Sequence, residues 1–293
     1  MRITKEQEKI LNTFSCQRLT DDIDNKEKIA TFVSAKGSAL VDYLQQYAWD
    51  EDSEGSTAYY VVKNADDEIM LFFSLKCGAL FDPLNEAELK EKLARFQELL
   101  ETIRTADSDG EGKEAAVQLI ERIRSGLGMP LDTFRKGIKR AVKQNTKMLQ
   151  HADADRAQER NAKIVRVGET YPGVELVHFC ANDNAKDYWK SCGINRPMGE
   201  VLFWRYIASI IFKIQTMIGC QYVFLFAADT SPDRALVNYY EVALRFLQPD
   251  DIGTNKPRYD FCCEFMCQKT NDLRENCELY FADFNPDLDE EVV

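Results

Sequence analysis

The sequence predicts a mixed α/β fold: a central mixed sheet flanked by helices and carrying a long helical insertion. Three observations predict it. Strand-like runs alternate with helical periods through both ends of the 293-residue chain. Residues 222–226, Tyr-Val-Phe-Leu-Phe, are a near-continuous apolar run, as a strand buried on both faces requires. Residues 85–170 keep a helical period with charged faces and interrupt the strand series.

Each element follows from local pattern. Residues 14–19 read as a first strand, and Asp21 or Asp22 offers a helix N-cap behind it. Ile29, Phe32, Val33, Leu40, Tyr43 and Leu44 then recur at helical spacing. The acidic run 50–55 breaks that pattern as a loop. Residues 56–63 and 68–76 are rich in β-branched and aromatic side chains. The polar segment 64–67 joins them, which predicts an antiparallel hairpin. From Asn85, an N-cap, Leu89, Leu93, Phe96, Leu100 and Ile103 mark a first insertion helix. Val117, Leu119, Ile120 and Ile123 mark a second, and residues 134–149 a third. Strand pattern returns at 173–180. A long helix follows over 197–218, with Asn195 as N-cap, Pro197 in the first turn and Gly219 as its stop. After the apolar strand come a helix over 235–247, strands at 259–267 and 278–282, and a loose acidic tail at 287–291. Residues 1–84 and 171–293 thus form the core, and 85–170 the insertion.

Composition narrows the function. The chain is 45% hydrophobic and 29% charged, an ordinary globular balance. No apolar stretch follows Met1, and the nine cysteines are expected to be reduced, so a cytoplasmic location is expected. The apolar region 201–228 is broken by Arg205, Lys213 and Gln215. A charge at the centre of a membrane helix costs roughly 2.5–3.5 kcal/mol, so this region reads as a buried helix and strand, with no membrane partner. Cys262, Cys263, Cys267 and Cys277 lack paired Cys-x-x-Cys spacing, and no metal site is predicted. A net charge of −12 disfavours nucleic acid and suits cationic or neutral partners. Against it stands a basic run from Arg135 to Lys147, which keeps RNA or another acidic partner open; the ordinary reading of such a run is a solvated helix face.

The informative segment is the strand, loop and helix over 174–218. Its loop, Asp187 to Arg196, contains Lys190, Gly193, Ile194 and Asn195 and leads into a helix N-terminus. Exposed N–H groups and the positive dipole end make such a terminus an anion site, and a glycine lets a phosphate approach closely.

This segment resembles the acyl-CoA pyrophosphate loop of the GNAT superfamily of N-acyltransferases. That pattern is Arg or Gln, two residues, Gly, one residue, then Gly or Ala. Lys190, Gly193 and Asn195 occupy those places in one register. Arg196, Gly199 and Val201 occupy them in a second, which would set the loop inside the helix. The element order also resembles the GNAT series outside the insertion. The resemblance implies acetyl-CoA as acyl donor, held by Lys190, Gly193, Ile194, Asn195 and Arg196 and by backbone groups of Val177, His178, Phe179 and Cys180. The segment 235–246 is similar to the family helix whose tyrosine protonates the departing thiolate, which implies Tyr240, with Tyr239 the alternate. A family member needs a route for the amine proton, and Glu175 and His178 are the candidate bases. Three residues apart on a strand, they are expected on opposite faces. The reaction expected is acetyl transfer to a primary amine by direct attack. The acceptor is a small amine, a protein lysine or N-terminus, or an aminoacyl-tRNA. The rival reading is a catalytically inactive GNAT-derived CoA-binding or protein-interaction module. The sequence leaves the oligomeric state open.

Overall fold

The computed structural model describes residues 3–82, 86–156, 169–229, 231–250, 252–255 and 263–282. The chain divides into two compact units, residues 1–82 with 169–293, and residues 83–168.

The first unit opens with α1 (Lys5–Asn12), β1 (Ser15–Arg18), α2 (Asn25–Ile29), α3 (Ser38–Gln46) and α4 (Ala48–Glu54). The hairpin β2 (Ala58–Lys63) and β3 (Ile69–Phe81) follows. The described part of the second unit is α5 (Glu86–Asp107), α6 (Lys113–Gly126) and α7 (Leu131–Arg156). The first unit resumes with β4 (Thr170–Ala181) and α8 (Lys186–Ser191). One helical run then comprises α9 (Met198–Leu202), a π turn (Phe203–Ile207) and α10 (Ala208–Ile218). After it come β5 (Tyr222–Ala227), α11 (Ala235–Leu244), β6 (Gly253–Thr254), β7 (Glu264–Lys269) and α12 (Thr270–Phe281).

The strands form one sheet in the order β1-β2-β3-β4-β5-β7, with β6 on β3. All pairings are antiparallel except β4 with β5. The mixed sheet expected from the sequence is present, antiparallel at every junction but one. Alternation along the strands makes two buried faces. Leu71, Phe73, Leu75, Val174 and Leu176 join Val201, Trp204, Ile211 and Leu273 from the helices on one face. Tyr59, Val61, Phe72 and Cys180 join Ile29 of α2, Phe32 just after it and Leu44 of α3 on the other. Full burial of each large aliphatic or aromatic side chain contributes about 1.5–3 kcal/mol. The run Met198–Ile218 is long and apolar enough to cross a membrane by length and composition. Here its Val201, Leu202, Phe203, Ile207, Ala208 and Ile211 are buried in the sheet core.

In the second unit, α5, α6 and α7 enclose their own core of Ile103, Ala106, Ala116, Ile120, Phe134 and Ile138.

Three expectations change. Residues 50–55 are not a loop: α4 runs through Glu54 and ends at Gly55, whose φ of +73° suits glycine. The helix is fixed there by Asp52, whose buried carboxylate accepts bonds from Arg18 (2.8 Å), the Thr20 hydroxyl (2.6 Å) and the Tyr59 amide (2.8 Å). Residues 278–282 are not a strand but the end of α12, which turns Leu273, Cys277 and Tyr280 toward the core at helical spacing. A short apolar run does not by itself distinguish the two. The strand expected at 259–267 begins at Glu264; residues 259–262 and the tail 287–291 lie outside the described residues.

Candidate active site

The site is built where two strands part. Parallel pairing of β4 with β5 is confined to Gly173↔Tyr222, Val174↔Val223 and Glu175↔Phe224. Both strands continue, β4 to Ala181 and β5 to Ala227, without pairing to each other. The β5-side edge of residues 176–181 therefore has no strand partner among the described residues. Such an edge suits an extended ligand that carries amides. Within the same stretch β4 bulges. Ser74 lies opposite His178 and Leu75 opposite Leu176, so Val177 is the extra residue.

The bulge corrects the expectation for Glu175 and His178. It resets the alternation, so His178 opposite Ser74 and Glu175 opposite Lys76 share one face. Both line a cavity of about 460 Å³. Val177 and Phe179 line it from the same strand, Leu225 and Phe226 from β5, and Leu236 and Tyr240 from α11. Leu40, Tyr43 and Glu51 complete it from α3 and α4. Cys180 points instead into the α2–α3 core, where burial raises its thiol and keeps it protonated.

Glu51 was not visible as a site residue in the sequence, because it sits in an acidic run that reads as loop. Asp52 anchors α4 to β1 and β2, and the adjacent Glu51 is carried to the cavity wall. The Tyr43 hydroxyl donates to one of its carboxylate oxygens and the Tyr59 hydroxyl to the other, at 2.9 Å. Burial alone would raise this carboxyl; the bonds from Tyr43, Tyr59 and Thr57 outweigh it and hold the group below its ordinary value. His178 stacks on Tyr43 (centroids 4.9 Å apart) and Tyr59 (5.4 Å), and its Nδ1 shares a 2.7 Å hydrogen bond with Ser74 Oγ. Burial pushes the imidazole down to about 4, with Glu51 pulling the other way. The ring is thus neutral at pH 7 and a weak base.

The segment 187–195 is not an open loop. Its first part is α8, and Lys190 on that helix is solvent-exposed and paired to Asp187 at 3.1 Å. Gly193 has φ +69° and follows the helix end, so its glycine serves chain reversal. The Gly193 carbonyl accepts from Gln7 at 2.8 Å, and Ile194 is buried in the core. Asn195 is exposed and is not the N-cap; Pro197 is, without a side-chain bond. The first register is therefore a helix end and a core plug. The second register lies at the N-terminus of α9. Arg196 is exposed there, its carbonyl taking the Trp189 indole N–H at 2.8 Å. A Cβ on Gly199 would come within 3.1 Å of the Tyr239 hydroxyl and 3.3 Å of the Phe179 ring. The N-terminus of α9 thus abuts the parted end of β4.

The two tyrosines diverge as adjacent helical residues must. Tyr240 lines the cavity, and its hydroxyl has no hydrogen-bond partner among the described residues. Tyr239 turns toward Gly199 and Glu200. Burial raises both phenols, so both are neutral at pH 7. Glu200 is itself buried, 3.6 Å from Arg196. Asp229 caps α11, accepting the amides of Leu236 (2.8 Å) and Val237 (3.0 Å).

No family model matches the chain, and no curated protein matches its sequence. Among solved structures the chain is similar to one of a bacterial toxin, at 10% identity, covering 90% of this chain and 95% of that one with a TM-score of 0.48. It is similar to AtaTR bound with AcCoA, at 10% identity over 90% and 97% of the chains, with a TM-score of 0.47. A third likeness is to AtaT complexed with acetyl-methionyl-tRNAfMet, at 9% identity over 90% and 98%, with a TM-score of 0.43. Each is a likeness of chain path, and no residue of this chain takes a role from it.

Proposed function

We propose that the chain is an acyl-CoA-dependent N-acyltransferase that moves an acetyl group from acetyl-CoA to a primary amine by direct attack. The observation that carries this reading is the parting of β4 from β5 at the Val177 bulge, beside the N-terminus of α9. The unpaired edge of 176–181 offers backbone partners to the amides of the pantetheine arm. The α9 terminus, in the second register, offers N–H groups to the pyrophosphate, with Arg196 as counter-charge. Lys190 is paired to Asp187, Gly193 closes α8 and Ile194 is buried in the core, so in this reading these residues and Asn195 hold no phosphate.

The chemistry needs few groups. The amine nitrogen attacks the thioester carbonyl carbon, the C–S bond breaks, an amide forms, and the nitrogen loses a proton while sulfur gains one. Tyr240 is the proton donor for sulfur, since it is a neutral phenol whose hydroxyl has no competing partner. Glu51 is the acceptor-side anchor: an ionised carboxylate held by hydroxyl donors attracts an ammonium group. His178 and Glu175 share its face; His178 as a neutral, weakly basic ring suits positioning, and Glu175 is the base nearer the paired strands.

A second reading, a module that binds CoA without turnover, is favoured by Glu200, a buried carboxylate in the helical turn meant for phosphate. Mass spectrometry of a primary-amine panel incubated with acetyl-CoA and the protein separates the two. Acetylated amine with stoichiometric free thiol supports the enzyme. Binding without product on any amine supports the module.

A further inference from the structure

The helices of the second unit handle charge in two ways. On α5 and α6, cations face carboxylates one turn away: Lys92 with Glu88, Arg104 with Glu101, and Arg124 with Glu121. On α7 they face one another. Lys136, Lys139, Arg140, Lys143 and Lys147 are all exposed, and none has an ion-pair partner among the described residues. At 100° per residue these five fall within about 100° of the helix circumference, and at 1.5 Å per residue they span about 16 Å of its axis. Pairs such as Lys136 with Arg140 and Lys139 with Lys143 are like charges at one-turn spacing, each destabilising by roughly 0.2–0.5 kcal/mol. The opposite face of the helix is committed, since Phe134 and Ile138 fill the unit's core and Val142 packs on it.

We infer that this stripe is a docking surface for the phosphate backbone of a double-helical nucleic acid. One cation about every 4 Å on a rigid rod approaches the spacing of phosphates along one strand of a duplex, about 3.4 Å of axis. Between Lys136 and Lys147 the arc carries no aromatic or aliphatic side chain; one turn before Lys136 it holds the exposed carboxylate of Asp132. The arc therefore offers nothing to stack on unpaired bases, which single-strand binding uses. It also offers no apolar wedge, which an interfacial membrane helix inserts. Contacts through charge alone predict binding without sequence preference, strongly dependent on salt. The chain as a whole carries a net charge of −12, so the stripe stands out as a local basic face that a polyanion would favour.

The test is fluorescence anisotropy of the full chain with a labelled short RNA duplex, the same duplex as DNA, and polyglutamate of matched charge, across a salt series. Five engaged phosphates predict a slope of log affinity against log salt of about −4 to −5. Replacing all five by glutamine, a good helix former, should lower duplex affinity at least tenfold and flatten the slope. Lys92→Gln with Arg95→Gln on α5 should leave both unchanged. Circular dichroism confirms that each variant keeps its helices. Binding of RNA alone identifies the source as RNA, and equal binding of RNA and DNA identifies the shared backbone. Duplex affinity unchanged in the folded five-fold variant overturns the inference. So does polyglutamate binding as tightly as the duplexes, which would make the stripe a surface for acidic protein.

Discussion

Burial keeps both Tyr240 and His178 neutral at pH 7. In the proposed reaction this makes Tyr240, at the cavity wall, the proton donor for sulfur. Tyr240→Phe should lower turnover by roughly 10²–10⁴-fold, the usual range for a general acid, with acetyl-CoA affinity nearly unchanged in calorimetry. Equal loss in Tyr239→Phe alone would move the role to that residue. For His178 the folded-state value of about 4 lies below its ordinary 6.5. The unfolded chain takes up the proton first as pH falls. Stability from the neutral ring is therefore full above about 6.5 and is lost as pH drops toward 4. Denaturant unfolding at both ends of that window should show His178→Gln losing less stability on acidification than the wild type. An identical loss would mean that the ring is not buried neutral. Tyr240, His178 and Glu175 were candidates in the sequence, and all three line one cavity. The shared face of His178 and Glu175 was not legible, because a bulge is a property of pairing and the one-residue slip at Val177 leaves no mark in alternation.

At the scale of elements, α4 supplies the Glu51 wall of the cavity. Its sequence is dominated by acid and serine, with no apolar period to announce a helix. What holds it is the buried Asp52 carboxylate with its partners Arg18, Thr20 and Tyr59. Removing one partner of such a set strands the others. Asp52→Ala should destabilise the protein by about 3 kcal/mol, the lower end for a broken buried pair, because Arg18 keeps 34% of its side chain exposed. Chemical denaturation measures this, and a loss below about 1 kcal/mol, the worth of a surface pair, would show that α4 is held by packing instead. The long apolar strand, the hairpin and the 198–218 helix were plain in sequence because their periods extend over many residues. The last helix and the helix end at Gly193 were not. Both lie in short segments, where an apolar run or a glycine has two structural uses.

For the whole molecule, the strand series is interrupted without being broken. The Asp82 amide donates to the Glu169 carbonyl at 2.9 Å, and Phe81 pairs with Thr170, so the chain leaves and re-enters the sheet at adjacent points. Joining residue 82 to 169 with a short Gly-Ser linker should give a folded protein that still binds acetyl-CoA, measured by thermal unfolding with and without it. Loss of the cooperative transition would mean that residues 83–168 are required for the sheet to fold. Hydrogen exchange of the backbone amides tests most directly whether acetyl-CoA lies along the unpaired edge of β4. With saturating acetyl-CoA, exchange should slow in residues 176–181 and at the start of α9, with β1 and β2 unchanged. Bound acetyl-CoA that leaves the exchange of 176–181 unaltered, or that protects the α8–Asn195 segment in its place, would contradict that placement.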